Sequence, residues 1–245
     1  PHVFTESRSG VIRLLVEHVA VAMENARLYD EQQEMLTASS RFVPAEFLER
    51  LGAASTRDVR AGMAVQLPLT VLFADIRRFT TISESLSAGT TFSLLNSYLR
   101  TVEPIIRQHD GFVDKYVGDA VLALFPGEPL QAVRAAISMQ NALRSLNVSA
   151  RRDGSPELVV GIGIHHGDVI LGTVGTQDRM DTTVIGDTVN VASRLEALTK
   201  ERGLDIIISH EVVERCPSDS LRTTPLGTET VRGRVRPITV YELHP

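Results

Sequence analysis

The sequence has little of what several protein classes require. Only one of its 245 residues is a cysteine, Cys216, so the chain can form neither an internal disulfide nor a multi-thiolate metal site. Its 25 Lys and Arg residues are scattered and outnumbered by 30 Asp and Glu, which disfavours a nucleic-acid partner. No apolar run approaches the roughly 20 residues of a membrane-spanning helix, and the amino end lacks a signal-peptide pattern. We therefore expect a cytoplasmic protein with no membrane segment and a small-molecule or protein partner.

Two common nucleotide-binding fingerprints are also missing. The sequence contains no G-x-x-x-x-G-K-[ST] run and no G-x-G-x-x-G motif after a predicted strand. Any nucleotide must therefore be held by another arrangement. His165 and His166 are adjacent, and adjacent strand residues point to opposite faces, which disfavours a shared metal ion.

Residues 1–40 differ in pattern from the rest of the chain. Their apolar positions recur at alternating steps of three and four, the spacing of a coiled-coil seam. The seam consists of Ile12, Leu15, Val19, Ala22, Ala26, Tyr29, Gln33 and Leu36. This pattern predicts a parallel helical dimer, and the alternative is one amphipathic helix lying on a domain outside this sequence. Pro44 then breaks the helix, and small and polar residues up to position 64 indicate a linker.

From about residue 65 onward, strand and helix patterns alternate. LPLTVLFAD indicates a buried strand that ends at Asp75, and helical spacing predicts a helix over about 90–108. Two apolar runs joined at Gly118-Asp119 predict a β-hairpin, and a second strand pair is predicted around residues 166–168. Together these elements predict an α+β domain whose mostly antiparallel sheet is covered by helices.

Two pairs of polar residues could carry chemistry. Asp75 ends a buried strand and Asp119 lies at a hairpin tip, so neighbouring strands could bring both carboxylates to one Mg²⁺ ion. The alternative is that both are ordinary turn residues, because Asp is common there for backbone reasons. Asn190 and Arg194 lie four apart on a predicted helix, on a face that is either functional or simply solvated.

Four motifs, in this order and at these separations, resemble the catalytic domain of class III nucleotidyl cyclases. They are LFADIRRFT, FVDKYVGDAVLALF, GIGIHHGDVILGTVG and TTVIGDTVNVASRLEALT. The resemblance implies a ferredoxin-like catalytic core over 65–245. RFVPAEFLERLG, within 41–64, resembles the transducer element that precedes such domains. The opening helix, 1–40, resembles the last helix of a GAF domain, which implies an upstream sensor domain in the same parent chain.

The resemblance also implies roles for the polar residues. Asp75 and Asp119 would bind two Mg²⁺ or Mn²⁺ ions, which activate the ribose 3′-hydroxyl and stabilise the leaving pyrophosphate. Asn190 would hold the ribose in line for attack. Arg194 would neutralise the charge that builds on the α-phosphate in the transition state.

The remaining implied contacts concern the terminal phosphates and the base. Arg232 matches the basic residue on the terminal phosphates, with Arg234 as the alternative. Lys115 and Thr183 would read the base, and a Lys donor with a hydroxyl acceptor suits adenine, whereas guanine presents the opposite polarity. Thr183 stands where many adenylyl cyclases have Asp, as in the soluble, bicarbonate-responsive branch, which suggests bicarbonate as an activator.

We therefore interpret the sequence as an adenylate cyclase domain that converts ATP to 3′,5′-cyclic AMP and pyrophosphate. In the family, a head-to-tail homodimer forms each site from both protomers. The alternatives are a guanylate cyclase, which Lys115 disfavours, and a non-catalytic dimerisation module, which the presence of the metal-binding and transition-state residues disfavours. Without the resemblance, the interpretation is a helical signalling linker attached to an α+β ligand-binding domain.

Overall fold

In the computed structural model, residues 6–40, 43–176, 179–230 and 237–245 are described. The chain divides into two compact units, residues 1–45 and residues 46–245. Within the described ranges, no helix is both long and apolar enough to cross a membrane.

The described part of the first unit is dominated by one long helix, α1 (Glu6–Ser40). Three residues of the predicted seam, Leu15, Val19 and Tyr29, are more than half exposed in the single chain. The side chains of Ile12 and Leu36 lie outside the described residues. The helix itself is thus confirmed, while its pairing into a coiled coil stays a prediction.

The second unit is built on one mixed sheet. Its strands are β1 (Ala64–Ile76), β2 (Phe112–Val117), β3 (Ala120–Phe125), β4 (Val160–Gly175), β5 (Met180–Ile185), β6 (Ile206–Ser209), β7 (Thr223–Glu229) and β8 (Ile238–Leu243). Their order is β2-β3-β1-β4-β6-β8-β7, and β5 pairs with the end of β4. The β4–β6 pair is parallel and the other pairs are antiparallel. The predicted α+β class with a mostly antiparallel sheet is confirmed.

Helices cover this sheet and connect its strands. They are α2 (Ala45–Arg50), α3 (Phe79–Glu84), α4 (Ala88–Gln108), α5 (Pro129–Asp153), α6 (Asp187–Arg202) and α7 (His210–Val213). Alternate side chains of β1 point to opposite faces of the sheet. On one face, Leu72 and Ala74 pack in the core that contains Tyr98 of α4. On the other face, Leu69 and Val71 pack with Phe47 of α2. This alternation explains why both faces of the sheet are covered.

One predicted turn is wrong. Residues 166–168 lie inside the continuous strand β4, where Thr70, Leu69 and Pro68 of β1 pair with His166, Gly167 and Asp168 in turn. The small residue at 167 serves packing rather than a turn, because a Cβ there would lie 2.8 Å from Thr188 Oγ1 at the start of α6. The opposite orientation of the adjacent histidines is confirmed: His165 Nδ1 lies 2.7 Å from Ser209 Oγ and His166 Nδ1 lies 3.0 Å from Thr70 Oγ1.

Helix α6 lies very close to the middle of β4 because glycine faces it. A Cβ on Gly163 would lie 2.2 Å from the backbone N of Glu196 and 2.4 Å from the carbonyl O of Ala192. Real Cβ atoms do not approach backbone atoms so closely, so only glycine permits this spacing. The close approach fixes the position of α6 over the sheet.

Candidate functional site

Two carboxylates meet at one end of the sheet. Asp75 is the penultimate residue of β1, and Asp119 lies in the turn between β2 and β3. Strand β3 runs antiparallel to β1 with Ala74 opposite Val121, so the turn before β3 lies beside the end of β1. Gly118 adopts a left-handed conformation with φ +65°, which lets the two-residue turn close.

The surroundings of Asp75, including Asp119, disfavour its ionised form. Burial contributes most to raising the pKa of Asp75 to about 7, followed by hydrogen bonding to Asp119 and by the negative charge of Asp119. Glu196 of α6 adds a third negative charge nearby, and burial raises the pKa of Glu196 as well. A negative charge on Asp75 in these surroundings is therefore favoured by a compensating positive charge nearby.

This pair fits a hard divalent cation. Carboxylate oxygens are the ligands that Mg²⁺ and Mn²⁺ prefer, and such ions commonly bind one or two carboxylates and take their other ligands from phosphates and water. In the described part of the chain, no group of three or more His, Cys, Asp or Glu side chains is arranged to hold a metal ion. The pair is thus suited to a metal that is shared with a phosphate-bearing ligand.

A second group of polar residues lies where β2 meets β5. Lys115 Nζ donates a hydrogen bond of 2.8 Å to the backbone carbonyl of Thr182, the residue before Thr183. Lys115 Nζ also lies 3.6 Å from Asp114 Oδ2. The structure therefore brings Lys115 and Thr183 into one neighbourhood, although they are far apart in the sequence.

Helix α6 carries the third group. Asn190 is exposed in its first two turns, and Arg194 is partly exposed one turn later. The Arg194 guanidinium forms an ion pair with Glu201, with Nη1 2.6 Å from Oε1. Buried Val191 and Leu195 anchor the opposite side of the helix in the core, so both polar residues face outward.

These groups stay separate within one chain. In the described ranges, no hydrogen bond or ion pair joins Asp75 or Asp119 to Lys115, Thr183, Asn190 or Arg194. Arg232, like its alternative Arg234, lies outside the described residues.

The sequence patterns did not reveal two acidic residues of these groups. Glu196 is close to the carboxylate pair only because α6 packs onto β4, and no local signal marks this contact. Asp114 is buried beside Lys115, and the meeting of these two neighbours depends on an irregularity of β2 that the sequence patterns do not reveal.

A cavity elsewhere in the domain contains none of the predicted site residues. It has a volume of about 270 Å³ and lies between α4 and the carboxyl-terminal part of α5. Its lining mixes leucines with serines, among them Leu94, Ser97, Leu146 and Ser149.

Comparison with known proteins adds independent information. The profile of the family described as adenylate and guanylate cyclase catalytic domain matches residues 64–245. The adenylate cyclase of Anabaena cylindrica is 39% identical over 242 residues, which is 96% of this chain and 48% of that protein. The chain therefore spans about half the length of this curated relative.

Solved structures agree with this match. The adenylyl cyclase CyaB from P. aeruginosa is 33% identical, with a TM-score of 0.67 over 74% of this chain and 96% of that one. The guanylyl cyclase Cya2 is 30% identical, with a TM-score of 0.65 over 74% of this chain and 93% of that one. The shared fold thus includes proteins that are named for either purine nucleotide.

Proposed function

The chain belongs to the family of adenylate and guanylate cyclase catalytic domains, and we propose that it is an adenylate cyclase that converts ATP to 3′,5′-cyclic AMP and pyrophosphate. The observation that carries this proposal is the meeting of Asp75 and Asp119 beside a third acidic residue, Glu196. Such a pair suits metal-bound triphosphate. The 39% sequence identity to the adenylate cyclase of Anabaena cylindrica supports ATP as the substrate.

Each polar group would have one task in this reaction. Asp75 and Asp119 would hold two Mg²⁺ or Mn²⁺ ions, which supply Lewis-acid activation of the ribose 3′-hydroxyl and charge neutralisation of the triphosphate. Asn190 would keep the ribose hydroxyl in line with the α-phosphorus. The Arg194 guanidinium would donate to the α-phosphate oxygens as their charge grows, once it leaves Glu201.

We propose that the active form is a head-to-tail homodimer. Within the described part of one chain, no hydrogen bond or ion pair joins the carboxylate pair to Asn190 or Arg194, which supports a site that takes these residues from a second copy. Each dimer would then contain two sites, each combining the carboxylates of one protomer with the base-reading and transition-state residues of the other. Exposed apolar residues of α1, such as Leu15 and Val19, would pair as a parallel coiled coil beneath an upstream sensor domain.

We assign the base preference to Lys115 and Thr183. Adenine carries an acceptor at N1 and a donor at N6, which match an ammonium donor and a hydroxyl acceptor. Guanine carries N1–H and O6 at these positions, so its N1–H would face the ammonium without an acceptor. One such base contact is worth about 1–3 kcal/mol, or roughly ten- to hundredfold in preference.

The test is product formation by the purified chain with Mg²⁺ and with Mn²⁺. We expect cyclic AMP from ATP at a rate that exceeds cyclic GMP from GTP by about tenfold or more. Lys115→Glu should lower ATP turnover more than GTP turnover, whereas Arg134→Glu, on the exposed side of α5, should change neither. Equal rates for ATP and GTP in the unaltered chain would refute the base assignment, and no product from either would favour a non-catalytic module.

We further propose bicarbonate as an activator of this domain. The support is Thr183, which follows the residue whose carbonyl Lys115 contacts and which, by the family resemblance, stands where many adenylyl cyclases have Asp. Bicarbonate should raise cyclic AMP formation at fixed pH and ionic strength, while chloride should not. If cyclic AMP formation does not change with bicarbonate concentration, bicarbonate is not an activator, and Thr183 keeps only its role in base recognition.

A further inference from the structure

Asp114 is a buried acidic residue that the proposed reaction does not use. The residue is 7% exposed and its side chain is fully buried. Neither carboxylate oxygen has a hydrogen-bond partner among the described residues. Among the described residues, the cation that pairs with it is Lys115, whose Nζ lies 3.6 Å from Asp114 Oδ2. A buried carboxylate with so little compensation costs stability, so its presence calls for a physical reason.

The backbone explains how two neighbouring side chains can meet. Strand residues that follow one another normally point to opposite faces of the sheet. The β2–β3 register shifts between Val113 and Lys115: Val113 pairs with Ala123, and Lys115 pairs with the next residue, Leu122. Asp114 is the extra residue of this β-bulge. Bulges turn a side chain away from its regular direction, which here allows Asp114 and Lys115 to lie together.

The ammonium of Lys115 is consequently held from two directions. It has three N–H donors. One donates to the carbonyl of Thr182 at 2.8 Å, and the negative charge of Asp114 attracts the ammonium from the strand beside it. With its position fixed in this way, its other N–H donors stay available for an acceptor presented by a ligand. A freely rotating ammonium would instead lose more conformational entropy for each contact it makes.

We propose that Asp114 is a positioning residue for Lys115 and thereby a determinant of purine specificity. It acts by holding the ammonium at the place where it can donate to an adenine N1. The inference rests on the proposed function, because it assumes that Lys115 reads the base. If Asp114 served only the fold of the bulge, its replacement would change stability and would leave the choice between adenine and guanine as it is.

The test is nucleotide binding rather than turnover. 3′-Deoxy-ATP and 3′-deoxy-GTP lack the attacking hydroxyl, so calorimetric titration of the 245-residue chain with Mn²⁺ measures their affinities without reaction. Asp114→Asn keeps the shape of the side chain and removes its charge. We expect the affinity for 3′-deoxy-ATP to fall about tenfold, the scale of one base contact. The affinity for 3′-deoxy-GTP should change less than about twofold, and the melting temperature should stay the same or rise.

Two further variants test whether the effect on adenine preference is specific to the charge of Asp114 and whether it acts through Lys115. Asp181→Asn removes an equal charge that acts on Asp114 from β5; among the described residues Asp181 forms no ion pair with Lys115, so this variant should leave the adenine preference within about twofold. Lys115→Ala should abolish the preference, and adding Asp114→Asn to it should change the preference no further, because Asp114 acts through Lys115.

The outcomes distinguish this inference from the proposed function. If Lys115→Ala leaves the adenine preference intact, the base assignment itself is wrong. If Lys115→Ala abolishes the preference and Asp114→Asn preserves it, only the role of Asp114 is wrong. Equal weakening of both analogues would also overturn that role. Should Asp114→Asn fail to fold, Asp114→Ser replaces it, and failure of both to fold assigns Asp114 to the fold and overturns the proposal.

Discussion

Replacing Gly163 with alanine should displace the helix that carries Asn190 and Arg194. The added Cβ would meet three backbone atoms of α6 at 2.2, 2.4 and 2.8 Å, and backbone cannot rotate away as a flexible side chain can. Overpacking of this kind typically costs 1–3 kcal/mol, and contact with rigid backbone places this variant near the upper value, about 3 kcal/mol. A domain of this size loses about 2–4 °C per kcal/mol, so the melting temperature should fall by roughly 6–12 °C.

Activity should fall further than stability. A shift of α6 by about 1 Å is enough to cost roughly a hundredfold in rate, measured as cyclic AMP formation at a temperature where the variant is still folded. Gly89→Ala is the matched control, because a Cβ on this residue of α4 has no neighbour within 4 Å. It should stabilise the protein by up to about 1 kcal/mol and leave activity unchanged. A Gly163→Ala protein with unaltered melting temperature and activity would refute the packing argument.

Three other changes test separate parts of the site. Folding raises the pKa of Asp75 from 3.8 to about 7, so the contribution of Asp75 to stability falls as the pH rises from about 4 through 7. Asp75→Asn should therefore have a higher melting temperature than the unaltered chain at pH 8 in the presence of a chelator. Added Mn²⁺ should raise the melting temperature of the unaltered chain only. Glu201→Gln frees Arg194 from a partly exposed ion pair worth about 0–1 kcal/mol, so cyclic AMP formation should rise by no more than about fivefold, and a large loss would contradict this. Tyr98→Phe removes a buried hydroxyl that has no hydrogen-bond partner in the described part of the chain, so the melting temperature should not fall.

Periodicity and turn residues predicted most of the secondary structure. The helical spacing over about 90–108 corresponds to α4, and Gly118-Asp119 forms the predicted hairpin turn. The turn predicted at 166–168 was wrong for a physical reason. A glycine such as Gly167 is a turn signal when the sequence is considered alone, whereas in the structure it makes room for Thr188. Sequence alone does not distinguish a glycine needed for conformation from one needed for close packing.

The candidate site was predictable where strand ends determine it. Asp75 and Asp119 meet because β1 and β3 are neighbours, which the order of predicted strands allowed. Asp114 was not predictable, because an ideal alternation places it on the opposite face from Lys115 and only the bulge reverses this. The proximity of Glu196 to the carboxylate pair was not predictable either, because it depends on the packing of α6 against Gly163. Glu196 and Gly163 are 33 positions apart in the sequence.

The composite site is tested most directly by mixing two inactive proteins. Asp75→Asn should abolish activity, because a neutral amide cannot balance divalent ions, and Arg194→Ala should cost about a hundred- to thousandfold, as loss of one transition-state donor does. In a mixed dimer, one of the two sites carries both changes while the other site combines intact carboxylates with an intact Arg194. Cyclic AMP formation should therefore return on mixing, with about half the normal number of sites in each mixed dimer. If labelled subunits exchange and the mixture stays inactive, sites shared between two chains are excluded.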